Sequence, residues 1–245
     1  MDYLISDTAV DPPGMHDAFL SEKPLYLPSQ FCYTGRNDLP ASEGAPCRKR
    51  GYVTFGVFNH YRKFTGSMLW AWQQILEQMP TARLLIKGKA MGSNSLMDEA
   101  YREMRAMGFD MDRVCFEPAS LEYMERYLEV DIALDTYPYP GGGTTLDALY
   151  MGVPVISLYG ERRNTRFGLS ILRTVGLEEL AAATIEEYIG RAIALARDEE
   201  LLDILHRNLR QMVTQSDGLA PRAYTRHLEK KYLDTWQEWQ EKQRS

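Results

Sequence analysis

Three consecutive glycines, two threonines and an acidic residue form the stretch of this sequence best suited to chemistry. A short apolar run ends in Asp135 and a proline-rich loop follows. Gly141–Gly143 then lead into Thr144, Thr145 and Asp147. Glycine lets the backbone approach a ligand closely, and a helix N-terminus offers an anion unpaired N–H groups and a positive dipole end. The threonine hydroxyls can reach the same anion, and the acid can accept hydrogen bonds from sugar hydroxyls. The order strand, tight turn, helix predicts a nucleotide-diphosphate site.

The same glycines have a simpler interpretation. Many α/β proteins use a glycine-rich turn only to reverse the chain before a helix. The stretch does not match G-x-G-x-x-G or G-x-x-x-x-G-K-[ST], so neither the dinucleotide fingerprint nor the P-loop applies. On spacing alone, a phosphate site and a structural turn are both open.

The composition is that of an ordinary globular protein. The chain has 245 residues, of which 44% are hydrophobic and 25% charged, and this suits one large or two small domains. The net charge of −6 argues against a general nucleic-acid binder. Cys32, Cys47 and Cys115 lack metal-ligand spacing, and no apolar run is long enough to span a bilayer. We expect a soluble cytoplasmic protein with free thiols, no metal cluster and no nucleic-acid or membrane partner.

Apolar runs and helical periodicity alternate from residue 51 onward. Ser120 is a predicted N-cap for a helix that carries Tyr123, Arg126 and Tyr127, and Thr184 opens a capping box. The predicted strands are 52–58, 83–86, 114–116, 132–134 and 155–158, and the other predicted helices cover 68–79, 96–107, 184–196, 201–213 and the chain from Pro221.

This alternation predicts an α/β fold with a doubly wound parallel sheet. Residues 1–50 are interrupted by prolines and are expected to be irregular, although they are too apolar to be a free linker. Residues 51–220 are expected to form a Rossmann-like lobe, and 221–245 a carboxyl-terminal helix with an aromatic stripe.

Polar residues follow four of the predicted strands. His60 and Lys63 follow the first, Lys87 the second, Pro118–Ser120 the third and the glycines the fourth. Ligands of doubly wound sheets bind beyond the carboxyl ends of the strands. Four loops that converge on one edge favour a binding site more than any single motif does. Lys87 is expected only at the rim of the pocket.

Several segments resemble glycosyltransferase family 41, which contains the O-linked N-acetylglucosamine transferases and the SPINDLY-like tetratricopeptide proteins. The likeness covers nearly the whole chain. It implies the carboxyl-terminal Rossmann-like lobe of a GT-B glycosyltransferase that binds a nucleotide sugar, usually UDP-linked. The segments that carry it are 1–3, 22–28, 58–63, 130–136, 143–145, 151–155 and 165–172.

The resemblance also implies roles for individual residues. The diphosphate-binding lysine of the family falls on Lys63, and its polar neighbour falls on His60. The threonine-bearing loop falls on Gly143 and Thr144 with Thr145 adjacent, and the ribose-binding acid falls on Asp147.

At other positions the chain departs from the family pattern or matches it more loosely. Tyr123 stands where the family has a histidine near the base, so it keeps a stacking face but loses imidazole chemistry. Gly142 stands where the O-GlcNAc enzymes place a histidine beside the threonines. Arg126 matches a basic position, and Pro118 is expected beside the nucleotide because it follows the third strand.

The implied function is the nucleotide-sugar-binding half of an inverting protein O-glycosyltransferase, with UDP-GlcNAc as donor and a Ser or Thr hydroxyl as acceptor. Lys63 would stabilise the leaving group, and no cofactor is expected. The family also has an amino-terminal lobe and tetratricopeptide repeats, neither of which is visible here, so the chain is expected to be a fragment or a truncated relative that is inactive alone. The alternative is a transfer-inactive nucleotide-binding or protein-interaction module. An NAD-dependent enzyme is disfavoured because the first strand-to-helix turn lacks the glycine fingerprint.

Overall fold

The computed structural model describes residues 1–36 and 38–244, and its centre is a six-stranded parallel sheet. The sheet strands are β3 (Thr54–Val57), β4 (Arg83–Gly88), β5 (Val114–Pro118), β6 (Ile132–Leu134), β7 (Val155–Leu158) and β8 (Ala181–Ala182), and a separate parallel pair is formed by β1 (Tyr3–Ser6) and β2 (Lys23–Tyr26). The helices are α1 (Cys47–Arg50), α2 (Gly66–Gln78), α3 (Asn94–Ala106), α4 (Gly143–Tyr150), α5 (Phe167–Thr174), α6 (Ile185–Arg197), α7 (Glu199–Gln215) and α8 (Pro221–Arg244).

All strands of the sheet, in the order β5-β4-β3-β6-β7-β8, are parallel, but the direction in which the chain adds new strands changes once. The chain builds outward from β3 to β5, then returns to β6 on the other side of β3. The loops after β3 and β6 therefore leave the sheet at a topological switch point, where the two halves diverge and ligands of such sheets bind. The predicted fold class, a doubly wound parallel sheet, is confirmed.

The strands β3, β6, β7 and β8 are short and wholly buried, and β4 is mostly buried, which is why most of them appear in the sequence as apolar runs. The edge strand β5 is half-buried to exposed. Helices flank the sheet, and α2 packs against α6 through Trp72, whose indole N–H donates to the Tyr188 hydroxyl at 3.2 Å. Both side chains are fully buried. The Thr184 hydroxyl caps α6 by accepting from the Glu187 amide at 3.2 Å. The Glu187 carboxylate reaches the amide of Ala183 rather than that of Thr184.

The prediction of a helix that begins after Ser120 is wrong. The chain forms turns there and then a short 3₁₀ segment, Glu125–Glu129. Tertiary contacts decide this conformation, because Tyr127 stacks on Phe58 with ring centroids 3.9 Å apart while its neighbour Arg126 pairs with Glu117 of β5. Two tethers on adjacent residues override the local helical preference.

The segment before α1, expected to be irregular, contains the β1–β2 pair and is bound to the lobe by buried polar contacts. The Asp7 carboxylate accepts from the Ser170 hydroxyl at 2.6 Å, and Asp11 accepts from the Arg163 guanidinium at 2.7 Å. Both carboxylates are almost completely buried. Buried charges persist only where they are paired and hydrogen-bonded, so these contacts fix the segment against α5 and the loop before it.

Candidate nucleotide site at the switch point

Lys63 lies in a short 3₁₀ turn after β3 and reaches towards the proline-rich loop after β6. Its ammonium donates to the Pro140 carbonyl at 3.1 Å and lies 4.3 Å from the centre of the Tyr139 ring. Among residues 1–36 and 38–244, Lys63 forms no salt bridge. Desolvation lowers the pKa of this partly buried ammonium, and the charge of Asp135 acts in the opposite direction. The site thus holds a cation that no carboxylate of the described chain neutralises by direct contact.

His60 caps the same turn and remains at the surface. Its Nδ1 accepts from the Arg62 amide at 3.2 Å, and its side chain is exposed. The two predicted residues, His60 and Lys63, therefore lie at the two ends of the same turn, and the histidine is exposed to solvent.

The glycine loop presents the N-terminus of α4 beside Lys63. Gly142 is the N-cap residue, and no side chain caps this helix. A Cβ atom on Gly143 would meet nothing within 4 Å, whereas one on Gly141 would lie 2.4 Å from the Thr145 hydroxyl. Gly141 is therefore required by close packing, while the space in front of Gly143 is open. The uncapped first-turn N–H groups and the open space suit an anion.

A buried carboxylate, Asp135, holds the glycine loop in this shape. One of its oxygens accepts from the amides of Gly141 and Thr136 at 2.7 and 2.8 Å and from the side-chain amide of Asn59 at 2.9 Å. The other oxygen accepts from the Ser157 hydroxyl at 2.9 Å. Burial raises the pKa of Asp135, although these hydrogen bonds oppose the shift.

The two threonines differ in what they can reach. Thr145 is buried, and its hydroxyl faces Asp135 at 3.5 Å. Thr144 is partly exposed, and its hydroxyl donates to the Asn59 side-chain oxygen at 3.3 Å. Of the two predicted hydroxyls, only that of Thr144 is placed where a ligand can contact it without opening the loop.

Asp147 lies one turn into α4 and contacts two tyrosines. Its oxygens accept from the Tyr33 hydroxyl at 2.7 Å and the Tyr123 hydroxyl at 2.9 Å. Burial raises the pKa of Tyr123 to about 12, aided by the hydrogen bond to Asp147, and raises that of Tyr33 further. Tyr123 was expected to offer a stacking face, but in the structure its hydroxyl makes the specific contact.

Arg126 and Pro118 are occupied by neighbouring side chains. The Arg126 guanidinium donates to both oxygens of Glu117, the shortest contact being 2.7 Å. Hydrogen bonds from Arg126 lower the pKa of Glu117, and the same pairing raises that of the arginine. The Pro118 carbonyl accepts from the buried Lys87 ammonium at 2.8 Å. These residues support the edge of the site, where β5 ends, and Arg126 is not a free cation.

Sequence patterns did not identify Asp135, Asn59 or Tyr33 as parts of this arrangement. Asp135 and Asn59 do have a signal, since each is a polar residue close behind a buried strand. Tyr33 has none, because its contact with Asp147 joins segments 114 positions apart.

Within 1–36 and 38–244, no group of three or more His, Cys, Asp or Glu side chains is arranged to hold a metal ion. None of the helices in those ranges is long and apolar enough to cross a membrane.

The sheet order and the glycine loop at the switch point define a Rossmann-like α/β lobe. The chain belongs to glycosyl transferase family 41, whose sequence model matches residues 49–228. The family resemblance seen in the sequence is thereby confirmed.

The relatives found by sequence are much longer than this chain. It is 35% identical over 243 residues to the probable UDP-N-acetylglucosamine–peptide N-acetylglucosaminyltransferase SPINDLY of Petunia hybrida, covering 98% of this chain and 26% of the relative. The corresponding SPINDLY protein of Arabidopsis thaliana is 33% identical with the same coverage. The chain thus spans about a quarter of the length of these relatives.

Solved structures show the same lobe. An O-GlcNAc transferase mutant of Thermobaculum terrenum superposes with a TM-score of 0.87 at 32% identity, covering 97% of this chain and 45% of that one. WaaG, a glycosyltransferase of lipopolysaccharide biosynthesis, superposes with a TM-score of 0.58 at 17% identity, over 92% of this chain and 61% of its own. At that identity the second likeness concerns the fold alone, and it agrees with the predicted GT-B lobe.

Proposed function

We propose that this chain is the nucleotide-sugar-binding half of an inverting protein O-glycosyltransferase, with UDP-GlcNAc as donor and a Ser or Thr hydroxyl as acceptor. The names of its relatives support the donor and the peptide acceptor. The observation that carries the proposal is the partly buried Lys63 ammonium, which lacks a carboxylate partner among the described residues and lies beside the uncapped N-terminus of α4.

In this proposal Lys63 and α4 bind the diphosphate of the donor. The acceptor oxygen attacks the anomeric carbon, the bond from that carbon to the diphosphate oxygen breaks, and the bonding electrons leave with UDP. Negative charge therefore grows on the diphosphate in the transition state. A fixed ammonium and oriented backbone N–H groups stabilise such charge without reorganising. The acceptor proton goes to a base, which we do not assign to this chain.

The nucleoside would lie towards Asp147 and Tyr123. Asp147 is one turn along α4 from the anion-binding end, so a diphosphate at Gly143 and Thr144 brings the ribose near its carboxylate. The ribose diol can donate two hydrogen bonds to a carboxylate, a contact that acidic residues make in other nucleotide-binding folds.

The acceptor and the remaining catalytic groups would belong to parts of the enzyme beyond this lobe. Group transfer requires both substrates held in one reacting geometry, and this chain spans about a quarter of its curated relatives. The carboxyl-terminal helix offers a docking surface for such a lobe, because Tyr232, Trp236 and Trp239 are 55%, 54% and 49% exposed. Clustered exposed aromatic side chains typically mark an interaction site.

Calorimetric titration with UDP, GDP, ADP and pyrophosphate tests the binding function. We expect UDP to bind more tightly than the other nucleotides. Transfer is tested separately by incubating the chain with UDP-GlcNAc and a peptide library and detecting glycopeptides by mass spectrometry. We expect binding without turnover, with transfer restored when the amino-terminal lobe of a family 41 enzyme is added. Robust glycosylation by the chain alone would contradict the half-enzyme proposal, and binding that no added lobe converts to transfer would favour an inactive module.

A further inference from the structure

Both oxygens of Asp147 are held by tyrosine hydroxyls that come from different parts of the chain. Tyr33 belongs to the segment before α1 and bonds one oxygen at 2.7 Å, and Tyr123 follows β5 and bonds the other at 2.9 Å. All three side chains are only partly buried. The Asp147 carboxylate therefore links the segment before α1, the turns after β5 and the first turns of α4 at one point.

Tyr33 is held firmly enough to position its partner. Its backbone amide donates to the Leu219 carbonyl at 3.0 Å, and its ring packs on that of Tyr150 with centroids 5.5 Å apart. Tyr150 is itself buried in α4, and its hydroxyl donates to the Arg36 carbonyl at 2.8 Å. The Tyr33 side chain is thus held by its own backbone hydrogen bond and by the Tyr150 ring, and its hydroxyl donates to Asp147.

The two hydroxyls leave Asp147 able to accept further hydrogen bonds. A carboxylate oxygen has two lone pairs, and the structure uses one on each oxygen for a tyrosine. Burial and the nearby carboxylate raise the pKa of both phenols, so they stay protonated and act as donors at neutral pH. Each oxygen of this partly exposed side chain therefore keeps one lone pair, which gives one acceptor for each hydroxyl of a ribose diol.

We infer that Tyr33 is a positioning residue of the nucleoside site, which together with Tyr123 orients the Asp147 carboxylate towards the two ribose hydroxyls of the nucleotide. This inference rests on the proposed nucleotide-binding function. It makes the segment before α1 part of the binding site, since that segment supplies one of the two donors. A positioning residue should affect ligands that carry ribose and leave the binding of the bare diphosphate unchanged.

A competing role for the two tyrosines predicts the opposite change in nucleotide affinity. If the tyrosines instead compete with ribose for Asp147, removing one hydroxyl would strengthen nucleotide binding. The two effects differ in sign, so one titration separates them.

The test compares Tyr33→Phe with Tyr224→Phe, which removes a hydroxyl that donates to the Gln30 carbonyl of the same segment at 3.5 Å. We expect Tyr33→Phe to weaken UDP binding about 3- to 10-fold, the effect of one hydrogen bond, with pyrophosphate binding unchanged. Tyr224→Phe should leave both unchanged. Thermal melting of each variant checks that the fold is retained.

A double-mutant cycle with Asp147→Asn separates positioning from packing. If Tyr33 acts through the carboxylate, Tyr33→Phe should have little further effect on UDP affinity once Asp147 is Asn. An equal loss in both backgrounds, unchanged UDP affinity, or a gain in affinity would each overturn the inference. If the unaltered chain binds pyrophosphate and UDP equally weakly, the proposed function fails and the inference fails with it.

Discussion

Replacing Lys63 by methionine tests the diphosphate site with the least disturbance of the surrounding structure. Methionine keeps most of the stem of lysine and removes the charge. The ammonium makes one hydrogen bond, to the Pro140 carbonyl at 3.1 Å. An ammonium has three N–H donors, so the structure leaves two of them for a ligand.

The expected magnitude follows from that geometry. One charge-assisted hydrogen bond to a phosphate oxygen contributes roughly 1.5–3 kcal/mol, which corresponds to a loss of about 10- to 150-fold in affinity. The loss should be similar for UDP and pyrophosphate, because the contact is to the diphosphate alone. Stability should not fall, since desolvation already disfavours the charged form of this lysine.

Isothermal titration at fixed ionic strength provides the assay, and Lys89→Ala provides the control. Lys89 follows the neighbouring strand β4, and its side chain is exposed, so the variant has the same change in net charge at the same edge of the sheet. We expect Lys89→Ala to bind UDP nearly as the unaltered chain does. If the UDP affinity of Lys63→Met lies within twofold of that of the unaltered chain, Lys63 does not bind the diphosphate. Equal losses of UDP affinity in Lys63→Met and Lys89→Ala would refute the assignment as well.

Two further predictions concern stability. Asp135→Ala should lower the free energy of unfolding by at least about 3 kcal/mol in urea titrations, because several buried donors lose their acceptor; a loss below about 1 kcal/mol would show that Asp135 does not hold the loop. His206 is buried with its pKa lowered from 6.5 by desolvation, so below pH 6.5 the unfolded chain takes up the proton more readily and stability falls, by at most about 1.4 kcal/mol per pH unit. Urea titrations at pH 7.5 and 5.5 should show this fall, and His206→Asn should remove it; an equal fall in the variant would exclude His206 as its source.

The central strands were predictable because β3, β6 and β7 are short, apolar and buried. The two-residue strand β8 and the β1–β2 pair were not predicted. The run 132–134 coincides with β6, and 155–158 coincides with β7. The sequence has no comparable signal for the region after Ser120, where stacking of Tyr127 on Phe58 and pairing of Arg126 with Glu117 set the backbone. Those contacts depend on the packed sheet, and local propensity does not contain them.

The candidate site, like the fold, was predictable only in part. The glycine loop and Lys63 were accessible to sequence reasoning, because glycine content and position behind a strand are local properties. The partners of each side chain were not. Nothing local indicates that Tyr33 would bond Asp147, or that the Thr145 hydroxyl would face the buried Asp135.

A crystal structure of the chain with UDP would test the central claim most directly. We expect the diphosphate at the N-terminus of α4, with Lys63 Nζ within hydrogen-bond distance of a phosphate oxygen and the ribose hydroxyls at Asp147. A diphosphate bound elsewhere, for example in the cavity lined by Arg48, Lys49 and Arg207, with the N-terminus of α4 empty, would contradict the claim.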